Sequence, residues 1–129
     1  MVEVDASLPP GGTDGFYGII VRDSNGGFIA ARSGPIRCLK DPHLAETFAV
    51  KEALSWTLEQ GWHNILLKSD CCVLKYCRSL KRHFESMSIQ YINRSVNKLA
   101  HVLARAASSH TGHLNWFSNI PSCIEHLIA

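Results

Sequence analysis

The sequence predicts an α/β fold: a mixed sheet covered by helices. Three observations carry that prediction. The first forty residues read as strands joined by tight turns, the hydrophobic period then changes to that of a helix, and short apolar runs alternate with helical stretches thereafter. Met1 to Ser7 (MVEVDAS) alternates and is rich in β-formers. Leu8 to Gly15 holds two prolines and three glycines and reads as a loop. Phe16 to Arg22 (FYGIIVR) is a β-branched and aromatic strand, Asn25-Gly26 supplies a tight turn, and Phe28 to Arg32 returns as its partner. From His43 to Gln60 the apolar positions Leu44, Phe48, Ala49, Val50, Ala53, Leu54 and Leu58 follow helical spacing, with Gly61 as the stop. Asn64 to Ser69 (NILLKS) is a short buried strand, with Leu66 and Leu67 facing opposite sides as in a central position.

Cys71 to Met87 carries Val73, Cys77, Leu80, Phe84 and Met87 on one stripe and is predicted as an amphipathic helix. Ser88 to Asn93 alternates as a strand. Asn97 to Ala107 is rich in alanine and leucine and helical, and the tail is irregular, with a last helical turn or two between Pro121 and Ile128. The order is βββαβαβα. It gives five strands, three antiparallel and two added in parallel through right-handed crossovers.

The 129 residues fit one domain, 1–129. Apolar residues at 46% and charged residues at 19% exclude a disordered chain, and no run approaches the ~20 apolar residues of a membrane span. The first fifteen residues hold acids and prolines and no basic residue, so no secretory leader is expected. The five cysteines are odd in number and include no CxxC pair, which argues against a disulfide framework. The expected setting is intracellular, nuclear or cytoplasmic, and the expected state is a monomer. A net charge of +2 is too small to announce a nucleic-acid binder by itself.

Three acids stand out once chain direction is followed. Asp5 is at the carboxyl end of the first strand, Asp70 lies just past the carboxyl end of the fourth, and Glu46 is in the first turn of the first helix. All three fall at one edge of the sheet, and pairing of strands 1 and 4 makes Asp5 and Asp70 neighbours. Clustered carboxylates repel, and a hard divalent cation such as Mg2+ relieves the repulsion. Two such ions can hold the attacking and leaving oxygens of a phosphoryl displacement. The alternative is three ordinary surface acids. Lys75 and Arg78 lie on the polar face of the second helix, either as solvated charges or as phosphate contacts. Arg94 and Asn97 stand at the last strand-to-helix turn. Asn97 either caps that helix or donates to a phosphate or ribose hydroxyl.

Several segments also resemble a known family in register. These are Val4-Asp5-Ala6-Ser7, Gly18 to Asp23 followed by Asn25-Gly26, Leu44 to Leu54, Lys68-Ser69-Asp70-Cys71, and the series Arg94, Asn97, Ala100, Leu103-Ala104. Together they resemble the ribonuclease H-like, reverse-transcriptase-associated domain of plant retroelement-derived proteins. The resemblance implies a five-stranded ribonuclease H fold that uses two Mg2+ (or Mn2+) ions in endonucleolytic cleavage of RNA in RNA–DNA hybrids. Asp5, Glu46 and Asp70 match three of the four metal-ligand acids. The fourth position is His101, read either as a helix-surface histidine or as a weaker ligand whose nitrogen suits manganese better than magnesium. The connection between strands 4 and 5 is also short, with one helix where the family has two. The rival reading is an inert ribonuclease H-like module that binds nucleic acid or protein.

Overall fold

The computed structural model describes residues 1–10, 14–37, 41–69, 82–93, 96–117 and 119–128. The described residues form six strands: β1 (Val2–Ser7), β2 (Asp14–Arg22), β3 (Phe28–Arg37), β4 (Asn64–Ser69), β5 (Ser86–Tyr91) and β6 (Leu114–Trp116). Two α-helices, α1 (Pro42–Glu59) and α2 (Lys98–Ala106), and two short 3-10 turns complete the described elements. The strands form one sheet in the order β5-β4-β1-β2-β3-β6. The pairs β1–β2 and β2–β3 are antiparallel, whereas β1–β4 and β4–β5 are parallel. This is the mixed sheet expected, with the parallel strand beside β1.

Several features depart from expectation, among them β2 and β3, which run over Asp14–Arg22 and Phe28–Arg37 rather than Phe16–Arg22 and Phe28–Arg32. The sheet has a sixth strand, because Leu114–Trp116 pairs antiparallel with Ala31–Ser33 of β3. Three residues are too short for an alternation to show, and side chains anchor the strand instead. Arg32 Nη1 donates to Asn115 Oδ1 at 2.8 Å, and the Tyr17 hydroxyl meets His113 Nδ1 at 2.6 Å. Burial, then the neighbouring Glu52 carboxylate, pushes the Tyr17 phenol well above its ordinary pKa, so it remains a neutral hydroxyl. β5 begins two residues earlier than expected. Phe84 lies in the bend before β5, and Met87 pairs with Ile65 within it, so neither continues a helical stripe. Residues 70–81, which carry most of the expected second helix, lie outside the described residues. Finally, Glu46 is the fifth residue of α1, just past its first turn.

Local chemistry explains the well-predicted elements. Gly26 has φ +85° at the β2–β3 turn, and Asp23 Oδ1 accepts from the backbone N–H groups of Asn25 and Gly27. Asp41 caps α1 by accepting from the His43 and Leu44 N–H groups, with Pro42 at the first helical position. Pro35 lies beyond the stretch of β3 that β6 covers, where an imino acid sacrifices no pairing to that strand.

The pleat divides the interior in two. Val2, Val4 and Ala6 of β1 join Ile19 and Val21 under α1, where Ala49, Ala53, Leu54 and Trp56 are buried. Ile20 and Ala31 face the other way, under Leu99, Ala100 and Leu103 of α2 and under Ile124 from the tail. Each fully buried Leu, Ile or Val contributes about 1.5–3 kcal/mol. The other face of β1 is acidic, yet buried. Glu3 is 3% exposed and paired with Arg22 at 2.6 Å, while Asp5 is fully enclosed. The helices therefore cover opposite faces of the sheet, and the acids of β1 lie on the α2 side.

Candidate functional site

The site begins with a missing side chain. Gly18 lies directly across from Asp5 in the β1–β2 ladder. A Cβ at Gly18 would fall 2.6 Å from both the Ala100 carbonyl oxygen and the Ala104 backbone nitrogen. The backbone of α2 therefore rests directly on β2, with alanines at the two contact points. This close approach carries the next residue, His101, over Asp5, where its Nδ1 lies 2.8 Å from Asp5 Oδ2. The His101 side chain is 34% exposed and Asp5 is not exposed at all, so the imidazole lies between a buried carboxylate and solvent.

One turn earlier on α2, Asn97 makes a second stitch. Its side chain is fully buried and Nδ2 donates to the Val4 carbonyl at 2.8 Å. Asn97 stands at the N-cap position but makes no side-chain capping bond. The sequence allowed a cap or a nucleic-acid donor, and the structure turns the amide inward. Asn97 and His101, one helical turn apart, hold α2 against the consecutive β1 residues Val4 and Asp5.

A cleft of about 550 Å³ opens at the carboxyl end of β1. Ala6 and Ser7 extend into it from the strand, and Leu8, Pro9 and Pro10 form a largely apolar wall. α1 contributes Pro42, Ala45 and Glu46, and α2 contributes His101, Arg105 and Ser108. Glu46 from one face of the sheet and His101 from the other thus meet at one opening, and His101 links that opening to Asp5. Asp70, Lys75, Arg78 and Arg94 lie outside the described residues. Neither Arg105 nor the packing role of Gly18 stands out in the sequence. The only signal for the latter was a glycine inside an apolar strand together with the Ala100/Ala104 spacing on α2.

The donor chemistry of Asp5 and Glu46 suits a hard divalent cation, since both offer carboxylate oxygens and burial of a carboxylate is costly without a compensating charge. Among the described residues no three His, Cys, Asp or Glu side chains are grouped to hold a metal ion. A metal centre at this edge therefore needs a further ligand, and Asp70, which follows the last residue of β4, is the acid in sequence position to supply it.

Residues 3–77, more than half of the chain, match the reverse transcriptase-like family. No curated protein matches the chain. Among solved structures the chain is similar to RNase H1 from the halophilic archaeon Halobacterium salinarum NRC-1, with TM-score 0.73 and 21% identity, covering 84% of this chain and 96% of that one. It is similar to the N-terminal RNase H domain of a Mycobacterium tuberculosis protein, with TM-score 0.69 and 16% identity over 84% and 91% of the two chains. It is also similar to LC11-RNase H1 in complex with an RNA/DNA hybrid, with TM-score 0.68 and 14% identity over 82% and 94%. At these identities the likeness is one of fold, and the fold is ribonuclease H-like.

Proposed function

This chain belongs to the reverse transcriptase-like family, and from that premise we propose that it is a ribonuclease H-type domain that binds RNA–DNA hybrids and cleaves their RNA strand with the aid of divalent metal ions. The observation that carries the reading is the fully enclosed carboxylate of Asp5 on β1, the strand whose end lines the cleft together with Glu46. The similarity to a ribonuclease H1 whose structure holds an RNA/DNA hybrid supports the substrate class.

In this reading Asp5, Glu46 and Asp70 are the carboxylates that hold Mg2+ or Mn2+. When bound, the metal supplies Lewis acidity at the scissile phosphate. His101 fixes the Asp5 carboxylate through Nδ1 and takes the position of a fourth acid. Leu8, Pro9 and Pro10 bring no charged side chain to their side of the cleft. Lys75, Arg78 and Arg94 are proposed contacts to the strand backbone. Asn97, being buried, serves by placing α2.

The second reading, an inert binding module, is favoured by one specific observation: His101, the residue that the resemblance aligns with a fourth acid, engages Asp5 itself through a nitrogen. The experiment that separates the two is a titration of hybrid cleavage with Mg2+ and with Mn2+, for the wild type and for His101→Asp. The wild type is expected to prefer Mn2+, which accepts nitrogen ligands more readily than Mg2+ does. His101→Asp is expected to raise the Mg2+-supported rate about tenfold by restoring a hard oxygen donor. Superimposable Mg2+ curves for the two proteins would return His101 to a purely structural role.

A further inference from the structure

We propose that Arg105 is a phosphate-binding residue of this cleft, holding a phosphodiester of the nucleic-acid strand next to the one that reacts. The inference rests on the nuclease reading above and extends it from the acidic edge to the strand lying along α2. Arg105 follows His101 by four residues, about 6 Å along the helix axis and on the same helical face. His101, Arg105 and Glu46 line the same cleft.

Arg105 is exposed, and among the described residues its guanidinium makes no ion pair or hydrogen bond. A cation near a helix C-terminus is favoured by the helix dipole alone. That effect accounts for a basic residue there, but not for its opening onto a cleft shared with carboxylates. A phosphodiester strand brought to Asp5 and Glu46 meets like charge, and a cation one helical turn from His101 offsets that repulsion. The guanidinium also offers a planar pair of donors that matches two phosphate oxygens, which an ammonium does not. Pro9 and Pro10, which line the same cleft, have fixed φ and no N–H donors, so that wall can lie against sugars without competing for the phosphate.

The test is binding without chemistry. A fluorescein-labelled RNA–DNA hybrid is titrated in EDTA with the wild type, Arg105→Ala, Arg105→Lys and Lys51→Ala. Lys51 is an exposed residue of α1 that does not line the cleft. Anisotropy is read across a series of NaCl concentrations, and circular dichroism checks that each variant is folded. Arg105→Ala is expected to weaken binding about fivefold and to reduce the salt slope by about one, the signature of one lost phosphate contact. Arg105→Lys should keep the slope and lose part of the affinity, and Lys51→Ala should match the wild type. Wild-type affinity and slope in Arg105→Ala would overturn the assignment while leaving the function reading standing. Equal weakening by Arg105→Ala and Lys51→Ala would also overturn it, by showing a diffuse charge effect. Failure of the wild type to bind the hybrid would overturn both readings.

Discussion

Asp5→Asn is expected to lower cleavage of the RNA strand by about a thousandfold, the scale on which removal of a key electrostatic group at a reacting centre acts. The amide has the shape of the carboxylate, and its oxygen still accepts a hydrogen bond from His101 Nδ1, so the β1–α2 stitch persists. What disappears is the negative charge, in a place where it is fully enclosed and therefore poorly screened. The neutral side chain is also cheaper to bury, so the melting temperature should be unchanged or higher. Initial rates on a labelled hybrid, with thermal melts of the same samples, check both halves. Cleavage near the wild-type rate in a folded variant would place the chemistry elsewhere.

Gly18→Ala is expected to destabilise the fold by about 3 kcal/mol, the upper range for overpacking a filled interior. At a domain of this size that corresponds to a fall in melting temperature of roughly 10 °C. The sign is informative. Glycine inside a strand is ordinarily a conformational liability, and alanine at an unobstructed position stabilises by about 0.4–1 kcal/mol. Here the added Cβ meets two backbone atoms of α2 at 2.6 Å. Neither can rotate away, so the helix itself must move. Because His101 is the residue after Ala100, displacement of α2 lengthens the Asp5–His101 contact, and activity should fall together with stability. A neutral or stabilising Gly18→Ala, measured by thermal and urea unfolding, would show that the helix has room to adjust.

Much of this architecture is legible in local pattern. The β2–β3 hairpin declares itself through Asn25-Gly26 between two β-branched runs, and α1 through eighteen residues of helical spacing behind a proline. The convergence of Glu46 with the end of β1 follows from chain direction once those elements are set. The rest depends on partners remote in sequence. Alternation in MVEVDAS assigns Val2, Val4 and Ala6 to the core, but nothing local shows that Glu3 and Asp5 are buried on the opposite face. Their cover is Arg22 and a helix ninety-six residues away from Asp5. Asn97 has the composition of a cap, and only the proximity of the Val4 carbonyl reveals its inward role. Phe84 and Met87 fit a helical stripe as well as the approach to a strand, and the parallel register with β4 decides between them. β6 offers three residues and no period, and it is defined by its pairing with Ala31–Ser33 of β3, to which Asn115 adds a side-chain bond from Arg32.

The claim that this edge of the sheet is a nuclease site is tested most directly by following both strands of one RNA–DNA hybrid. Each strand is labelled in turn and incubated with the wild-type protein across a range of Mn2+ and Mg2+ concentrations. The expected result is fragmentation of the RNA strand, an intact DNA strand, and complete arrest by EDTA. If both strands stay intact at every metal concentration while anisotropy shows the hybrid bound, the account is contradicted, and the chain is a ribonuclease H-like binding module.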